Sequence, residues 1–324
     1  GDVGRPDLLE RAAKVANTMD ASARALFASL KRLRTLPDFV QLWPGHGAGS
    51  ACGKALGALP QSTIGYERIA NWAFAATDED AFVRDVLAGQ SEPPAYFAEM
   101  KRINRDGPRV LGEWPEAIHL DARLLGAVLE GRDRAVDIRS AEAFAGGHAP
   151  RTLNIPMGKS FPTWAGTLLP YDRDIYLVAG SHEDATRAVR ELAKIGFDRI
   201  GGWFAVQALA EWSQSGGPLE RVAQVTPAAI AGRVEGREVT VVDVRNDGEW
   251  AHGHLHGALH IPLGALASRV AEIPGDRPVI VHCQGGTRSA IAASILLGNG
   301  VRDVSNLRGG YADWQRAGLP TATD

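Results

Sequence analysis

Apolar positions recur at helical spacing near the start of the chain: after Pro6 and Asp7 come Leu8, Leu9, Ala12, Val15, Ala16 and Met19, and a second run carries Leu26, Leu30 and Leu33. This spacing predicts two helices, the second stopped by Pro37. The pattern then contracts to a short strand over Phe39 to Trp43 and dissolves into "PGHGAGSACG", a loop too rich in glycine for helix or strand, which holds His46 and Cys52. Residues 79–106 read as polar helix broken by Pro93 and Pro94, and Gly107 with Pro108 marks a linker.

Beyond the linker the chain repeats itself. Residues 135–156, "AVDIRSAEAFAGGHAPRTLNIP", align without a gap on 241–262, "VVDVRNDGEWAHGHLHGALHIP", so that Asp137 matches Asp243, Arg139 matches Arg245, His148 matches His254 and Pro156 matches Pro262. Further on, "DIYLVAGSHEDATRAVRELAKIGF" aligns with "PVIVHCQGGTRSAIAASILLGNGV". Each copy reads as strand, loop, strand, loop, helix, with buried strands rich in Val and Ile. That alternation predicts an α/β fold with mainly parallel sheets flanked by helices. Gly216, Gly217 and Pro218 mark the seam. The expected organisation is an N-terminal segment over 1–78, a helical linker over 79–116, a first repeat over 117–216 and a second over 222–324.

A chain of 324 residues with 45% hydrophobic content can bury two or three compact cores. Its 35 basic and 38 acidic residues are well mixed, with no basic stripe tracking an aromatic row, so neither nucleic acid nor an anionic membrane is an expected partner. No window approaches the roughly 18 uninterrupted apolar residues of a membrane span, and no signal-peptide pattern opens the chain, so a cytoplasmic setting is expected. The start at "GDVGRPDLLE", without methionine and inside a motif, suggests a missing front half. Self-association is left open. The two cysteines, Cys52 and Cys283, form no C-x-x-C pair and indicate no zinc site or disulfide framework.

Cys283 carries the candidate chemistry. It follows the apolar run Val279 to Val281 and precedes a loop leading to a helix expected to begin near Ser289, and in parallel sheets catalytic groups collect at such strand ends. Gly285 and Gly286 permit backbone angles that would turn successive N–H groups inward as an anion cradle. The helix N-terminus adds partial positive charge and Arg288 a whole one, which together would favour a thiolate over a thiol. The same donors would hold an anionic sulfur donor, so Gln284, Gly285, Gly286, Thr287, Arg288 and Ser289 are the candidate binding residues around Cys283. In the first repeat Ala179 stands in the cysteine's place and Asp184 in that of Arg288. Alanine cannot carry sulfur, and Asp184 would repel an anion.

Three stretches of the second repeat, "VVDVRNDGEWAHGHLHGALHIP", "VIVHCQGGTRSA" and "NLRGGYADWQRAGLPT", occur in the order seen in rhodanese domains, which residues 222–321 resemble. The resemblance implies a sulfurtransferase that moves sulfane sulfur from thiosulfate or a persulfide onto Cys283, then passes it to a thiol acceptor, with no cofactor; the alternative is a non-catalytic rhodanese scaffold that docks a partner. Related cysteine phosphatases place five residues between cysteine and arginine; here four intervene, a tighter ring suited to sulfur. Residues 117–215 also resemble a rhodanese domain, one that is catalytically inactive and that, by the habit of tandem rhodaneses, walls part of the active copy's site.

"GDVGRPDLLE" and "LWPGHGAGSACGKALGALPQSTIGYE" resemble the last part of a metallo-β-lactamase-fold domain of the type found in persulfide dioxygenases fused to rhodanese domains. That resemblance implies iron bound by two histidines and an aspartate lying earlier than Gly1, so Asp2 is not the ligand and iron is expected only in a longer protein. His46 and Cys52 are candidate remnants of that site; no metal site is expected in this chain. The alternation of His252, His254 and His256 would gather three imidazoles on one side of a strand, but these residues precede the strand. Asp243 with Arg245 is expected to be a structural ion pair, since Asp137 and Arg139 repeat it, and Tyr311 and Trp314 are expected in the core.

Overall fold

The computed structural model describes residues 3–12, 14–47, 59–90, 93–94, 96–131 and 133–323 and divides into two compact units, Gly1–Gly107 and Pro108–Asp324. In the first unit α1 (Leu8–Arg11) is a single turn and α2 (Met19–Leu33) is a full helix. The longer first helix expected from its spacing is cut short because Lys14 and Asn17 adopt φ of 57° and 59°, which takes the path out of the right-handed helix. The Glu10 carboxylate then accepts from the N–H groups of Thr18 and Met19 at 2.8 and 2.9 Å, satisfying donors that α2 cannot pair internally. The strand expected over Phe39 to Trp43 contracts to β1 (Gln41–Leu42), since its antiparallel partner β2 (Ser62–Thr63) is only two residues long. Helices α3 (Ile64–Ala70), α4 (Trp72–Ala75), α5 (Glu79–Leu87) and α6 (Tyr96–Asp106) complete the unit, with Phe27, Leu30, Ile64, Phe74, Phe82 and Val86 in its core.

In the second unit the first half runs α7 (Leu125–Glu130), β3 (Arg134–Asp137), α8 (Ala141–Gly146), β4 (Leu153–Asn154), α9 (Phe161–Leu168), β5 (Ile175–Ala179), α10 (His182–Lys194), β6 (Ile200–Ala205) and α11 (Gln207–Gln214). The second half runs β7 (Ala223–Val225), α12 (Pro227–Glu235), β8 (Thr240–Asp243), α13 (Asp247–Ala251), β9 (Leu259–His260), α14 (Leu263–Arg269), β10 (Val279–His282), α15 (Thr287–Gly298), β11 (Val304–Leu307) and α16 (Gly310–Arg316). The strand orders are β4-β3-β5-β6 and β9-β8-β10-β11-β7, parallel throughout. The order β4-β3-β5-β6 in the first sheet answers β9-β8-β10-β11 in the second. Where β7 lies in the second, the first has a lone parallel bridge between His119 and Trp203.

The two halves differ most in one helix. α10 is amphipathic, burying Ala185, Ala188, Val189 and Leu192 beneath a charged outer face. Its counterpart α15 buries every residue from Ser289 to Leu296. One side of α15 packs on β10, β11 and α14, the other on β4 and α8 of the first half. Phe144 and Ala145 therefore share a core with Val242, Ile291 and Leu296. At this seam the Ser294 hydroxyl accepts from the Asn154 N–H at 3.0 Å and donates to the Ile291 carbonyl at 2.7 Å.

Ser294→Ala leaves the buried Asn154 N–H without that acceptor, and urea unfolding is expected to show a loss of about 1–3 kcal/mol. His148 supplies a pH dependence. Burial lowers its pKa to about 4, although its hydrogen bond to the Phe144 carbonyl at 3.0 Å acts in the opposite direction. The unfolded imidazole takes a proton as pH falls through about 6.5, whereas the folded one refuses it until about pH 4. Stability is therefore complete above the unfolded value and declines as pH falls. Between pH 7 and 5 the decline attributable to His148 is about 2 kcal/mol, and His148→Gln should remove that part of the slope.

Candidate active site

Cys283 sits at the carboxyl end of β10, which lies between β8 and β11. His282 closes the strand, one residue later than expected, and α15 opens at Thr287, two residues earlier than expected. The earlier start follows from Gly286, which takes φ of 111° as the residue preceding the helix and so turns the chain at once into its first turn. The Gly286 N–H donates to Cys283 Sγ at 3.1 Å. The Ser289 hydroxyl lies 3.0 Å from the Gly286 carbonyl and 3.6 Å from Sγ, placed to donate to either. Gln284, Gly285 and Thr287 face solvent, while Cys283 is only 1% exposed. The loop is thus a cover over a sunken sulfur.

The loop is held from its far side by α16. The Tyr311 N–H donates to the Cys283 carbonyl at 2.8 Å and the Ala312 N–H to the Gln284 carbonyl at 3.0 Å. So close an approach requires glycine: Gly310 has φ of 58°, and a Cβ there would stand 2.2 Å from the Cys283 carbonyl oxygen. This support was not anticipated from sequence. The Gly309-Gly310 pair was its only trace.

Beneath the loop lies a buried ion pair. Arg245 donates through Nε to both Asp243 oxygens, at 3.0 and 2.9 Å, and through Nη2 to Asp243 Oδ2 at 2.6 Å and the Gly253 carbonyl at 2.7 Å. Its Nη1 reaches Gln284 Oε1 at 3.4 Å, and its guanidinium stacks 4.0 Å over the Tyr311 ring. Burial pushes the Asp243 pKa up, but the Arg245 hydrogen bonds outweigh it and hold the carboxylate below its ordinary value. His282, fully buried beside this pair, has its pKa pushed down by burial, with the Asp243 charge acting in the opposite direction. The first half keeps the same device, with Arg139 donating to Asp137 and to the Gly147 carbonyl. Tyr311 and Trp314 are both buried, although Tyr311 also lines the cleft beside the loop.

Arg288 requires a correction. Its charge was expected to be free for an anion, yet Nη1 and Nη2 both donate to Glu249, each at 2.6 Å. The Glu249 pairing raises the Arg288 pKa. Burial pushes Glu249 up, but its bonds to Arg288 and to the Asn246 N–H prevail and hold it low. Glu249 also forms a capping box with Asn246 at the start of α13. Sequence reasoning missed Glu249; the signal was its loss, to Ala143, in the repeat that also lacks Arg288.

A cleft of about 480 Å³ adjoins the loop, lined by Arg245, Asn246, Glu249, His252, Gln284 and Tyr311 among others. All its lining residues belong to the second half, so the first half braces α15 from behind rather than walling this cleft. His252 and His256 are exposed, and His254 stacks on Trp250 with ring centroids 3.6 Å apart. His46 is exposed in the first unit and Cys52 lies outside the described residues. Among the described residues no three His, Cys, Asp or Glu side chains converge to hold a metal. Among them, too, no helix is long and apolar enough to cross a membrane.

Residues 226–317 match the family model of the rhodanese-like domain. A sulfurtransferase of Allochromatium vinosum is 42% identical over 83 residues, 26% of this chain and 78% of its own length. The chain belongs to the rhodanese-like family. An HTH-type transcriptional regulator of Mycobacterium tuberculosis is 33% identical over 149 residues, 46% of this chain and 62% of its own. A crystal structure of a metallo-beta-lactamase from Staphylococcus aureus is similar with a TM-score of 0.55 and 40% identity, over 63% of this chain and 56% of that one. The chain therefore spans less than two thirds of these last two proteins.

The contact between Gly310 and the loop of this rhodanese-like domain yields a prediction. Gly310→Ala combines an unfavourable φ with a backbone clash and should lower the unfolding free energy by about 2–4 kcal/mol in urea titration. Gly298→Ala, whose Cβ meets nothing within 4 Å, should change it by less than about 1 kcal/mol.

Proposed function

We propose that the second half of the Pro108–Asp324 unit is a sulfurtransferase site in which Cys283 carries sulfane sulfur from thiosulfate or a persulfide to a thiol acceptor. The Cys283 thiolate attacks the outer sulfur of the donor, a new S–S bond forms at Sγ, and the donor's S–S bond breaks with its electron pair on the departing sulfite or thiolate. An acceptor thiolate then attacks the terminal sulfur of the Cys283 persulfide, and Cys283 leaves as thiolate. Electrons balance across the two steps, so no redox cofactor is required.

The observation that carries this reading is the Gly286 N–H aimed at Sγ from 3.1 Å at the head of the twelve-residue helix α15. A donor fixed there stabilises negative charge on sulfur each time it develops, and the helix N-terminus adds to it. The match to the rhodanese-like model across the whole loop and the sulfurtransferase relative support the same chemistry. We read the first half as a copy of this fold without the chemistry, because Ala179, Asp184 and Ala143 replace Cys283, Arg288 and Glu249. The first unit's likeness to part of a metallo-β-lactamase fold suggests that a longer protein joins a persulfide dioxygenase to this transferase. No step is assigned to iron in this chain, whose described residues do not supply a ligand set.

Incubation with thiosulfate followed by intact mass measurement should show a gain of one sulfur atom, lost on adding a thiol. Cys283→Ser should show none. No gain in the unaltered chain from either thiosulfate or an alkyl persulfide, or a gain that survives Cys283→Ser, overturns the proposal.

A further inference from the structure

We infer that Glu249 is a specificity-determining residue: by neutralising Arg288 beside Cys283 it tunes the loop to organic persulfides and against the thiosulfate dianion. The inference rests on the sulfurtransferase reading for its substrates, although the charge selectivity it describes is a property of the thiol itself.

The argument begins with the guanidinium. Both outer nitrogens of Arg288 donate to the two oxygens of one carboxylate, a bidentate arrangement that cancels the guanidinium's charge and turns one N–H of each nitrogen away from a donor's sulfonate. Glu249 is also held from behind, since its Oε2 accepts from the Asn246 N–H at 3.1 Å and its own N–H donates to the Asn246 side chain at 2.8 Å. The carboxylate is therefore fixed in place on α13, and it lines the cleft that adjoins the loop. A dianion entering there meets a neutral pair whose carboxylate faces the same cleft. An organic persulfide brings at most one negative charge at its sulfurs, and none in the protonated form that yields its outer sulfur, so it meets the Gly286 N–H with less to lose from a neutralised Arg288.

The internal repeat supplies a control. The Asp243–Arg245 pair recurs as Asp137–Arg139 in the half without the cysteine, as expected of a device that serves the fold. Glu249 and Arg288 are lost together there, as Ala143 and Asp184. The clamp thus accompanies Cys283 and not the sheet.

Two alkylating agents that differ in charge read this directly: anionic iodoacetate and neutral iodoacetamide, with the ratio of their rates at Cys283 normalised to that of a free thiol. Glu249→Gln keeps an oxygen to cap α13 while releasing a net positive charge. It should raise the iodoacetate-to-iodoacetamide ratio by roughly tenfold, the effect of one unit charge released close to the thiol. Arg288→Gln should lower the ratio, and the double variant, neutral again, should return to within about twofold of the unaltered chain. If Glu249→Gln does not fold, the unaltered chain still decides: its ratio should hold steady between about 0.05 and 0.5 M salt, because a neutral pair leaves little field to screen. A ratio unchanged by Glu249→Gln, or a several-fold salt dependence in the unaltered chain, overturns the inference. Sulfur loading separates the two readings. Loading from an alkyl persulfide should outpace loading from thiosulfate, with the preference narrowed by Glu249→Gln; loading from neither donor would remove the transferase reading while leaving the alkylation ratios to stand or fall alone.

Discussion

A helix buried on all sides must be covered on all sides, and α15 imposes that requirement on the whole second unit. Eight consecutive residues, Ser289 to Leu296, are buried. One sheet with its flanking helices can cover only one stripe of a helix, as α10 shows with its charged outer face. The remaining apolar surface of α15 has to be met by something else, and the first half meets it with Phe144, Ala145 and β4. A repeat that has lost the cysteine therefore retains a physical task. It shields the helix from whose first turn the cysteine loop hangs, and the buried Asn154–Ser294 hydrogen bond pins the seam.

Two ion pairs near the loop do different work because they differ in burial. Asp243 and Arg245 are at most 1% exposed, and removing one partner of such a pair strands a charge in a medium that cannot solvate it, at a cost of about 3–5 kcal/mol. Once built into the sheet such a pair is hard to lose, which agrees with its presence in both halves. Glu249 and Arg288 are 27% and 21% exposed, and pairs that water can screen contribute little to stability. Their pairing beside the cysteine changes the local charge more than it changes stability.

Much of this fold was legible in the sequence because parallel strands buried on both faces read as runs of Val and Ile, and because two copies at constant spacing identify each other's boundaries. The β10 to α15 crossover was visible for that reason. What escaped was set by backbone angles or by distant partners. Nothing in the spacing of Leu8 to Met19 shows that Lys14 and Asn17 leave the helical region. Arg288 announced a positive charge at the loop, but its neutraliser lies 39 residues earlier on another helix. The need for Gly310 arises from a carbonyl 27 positions away, Cys283, brought close only by the sheet. Local pattern reveals elements; it does not reveal which charges cancel when elements meet.

On the proposed sulfurtransferase reading, the sunken position of Cys283 bears on which donors fit. A thiol that is 1% exposed favours slim reagents over bulky ones, and a terminal sulfur on a thin S–S stem is slim. In the transfer proposed above, a sulfur carried on Cys283 would extend it by one S–S bond, about 2 Å, so that an acceptor would not need to reach as deep as the donor. The cysteine itself has no need to move, and the contacts that hold the loop, from the Tyr311 and Ala312 N–H groups, leave it little freedom to do so. Rigidity at Sγ and reach at the carried sulfur are thus compatible. A buried thiol, which would be a poor nucleophile for a bulky electrophile, is a suitable seat for a single sulfur atom.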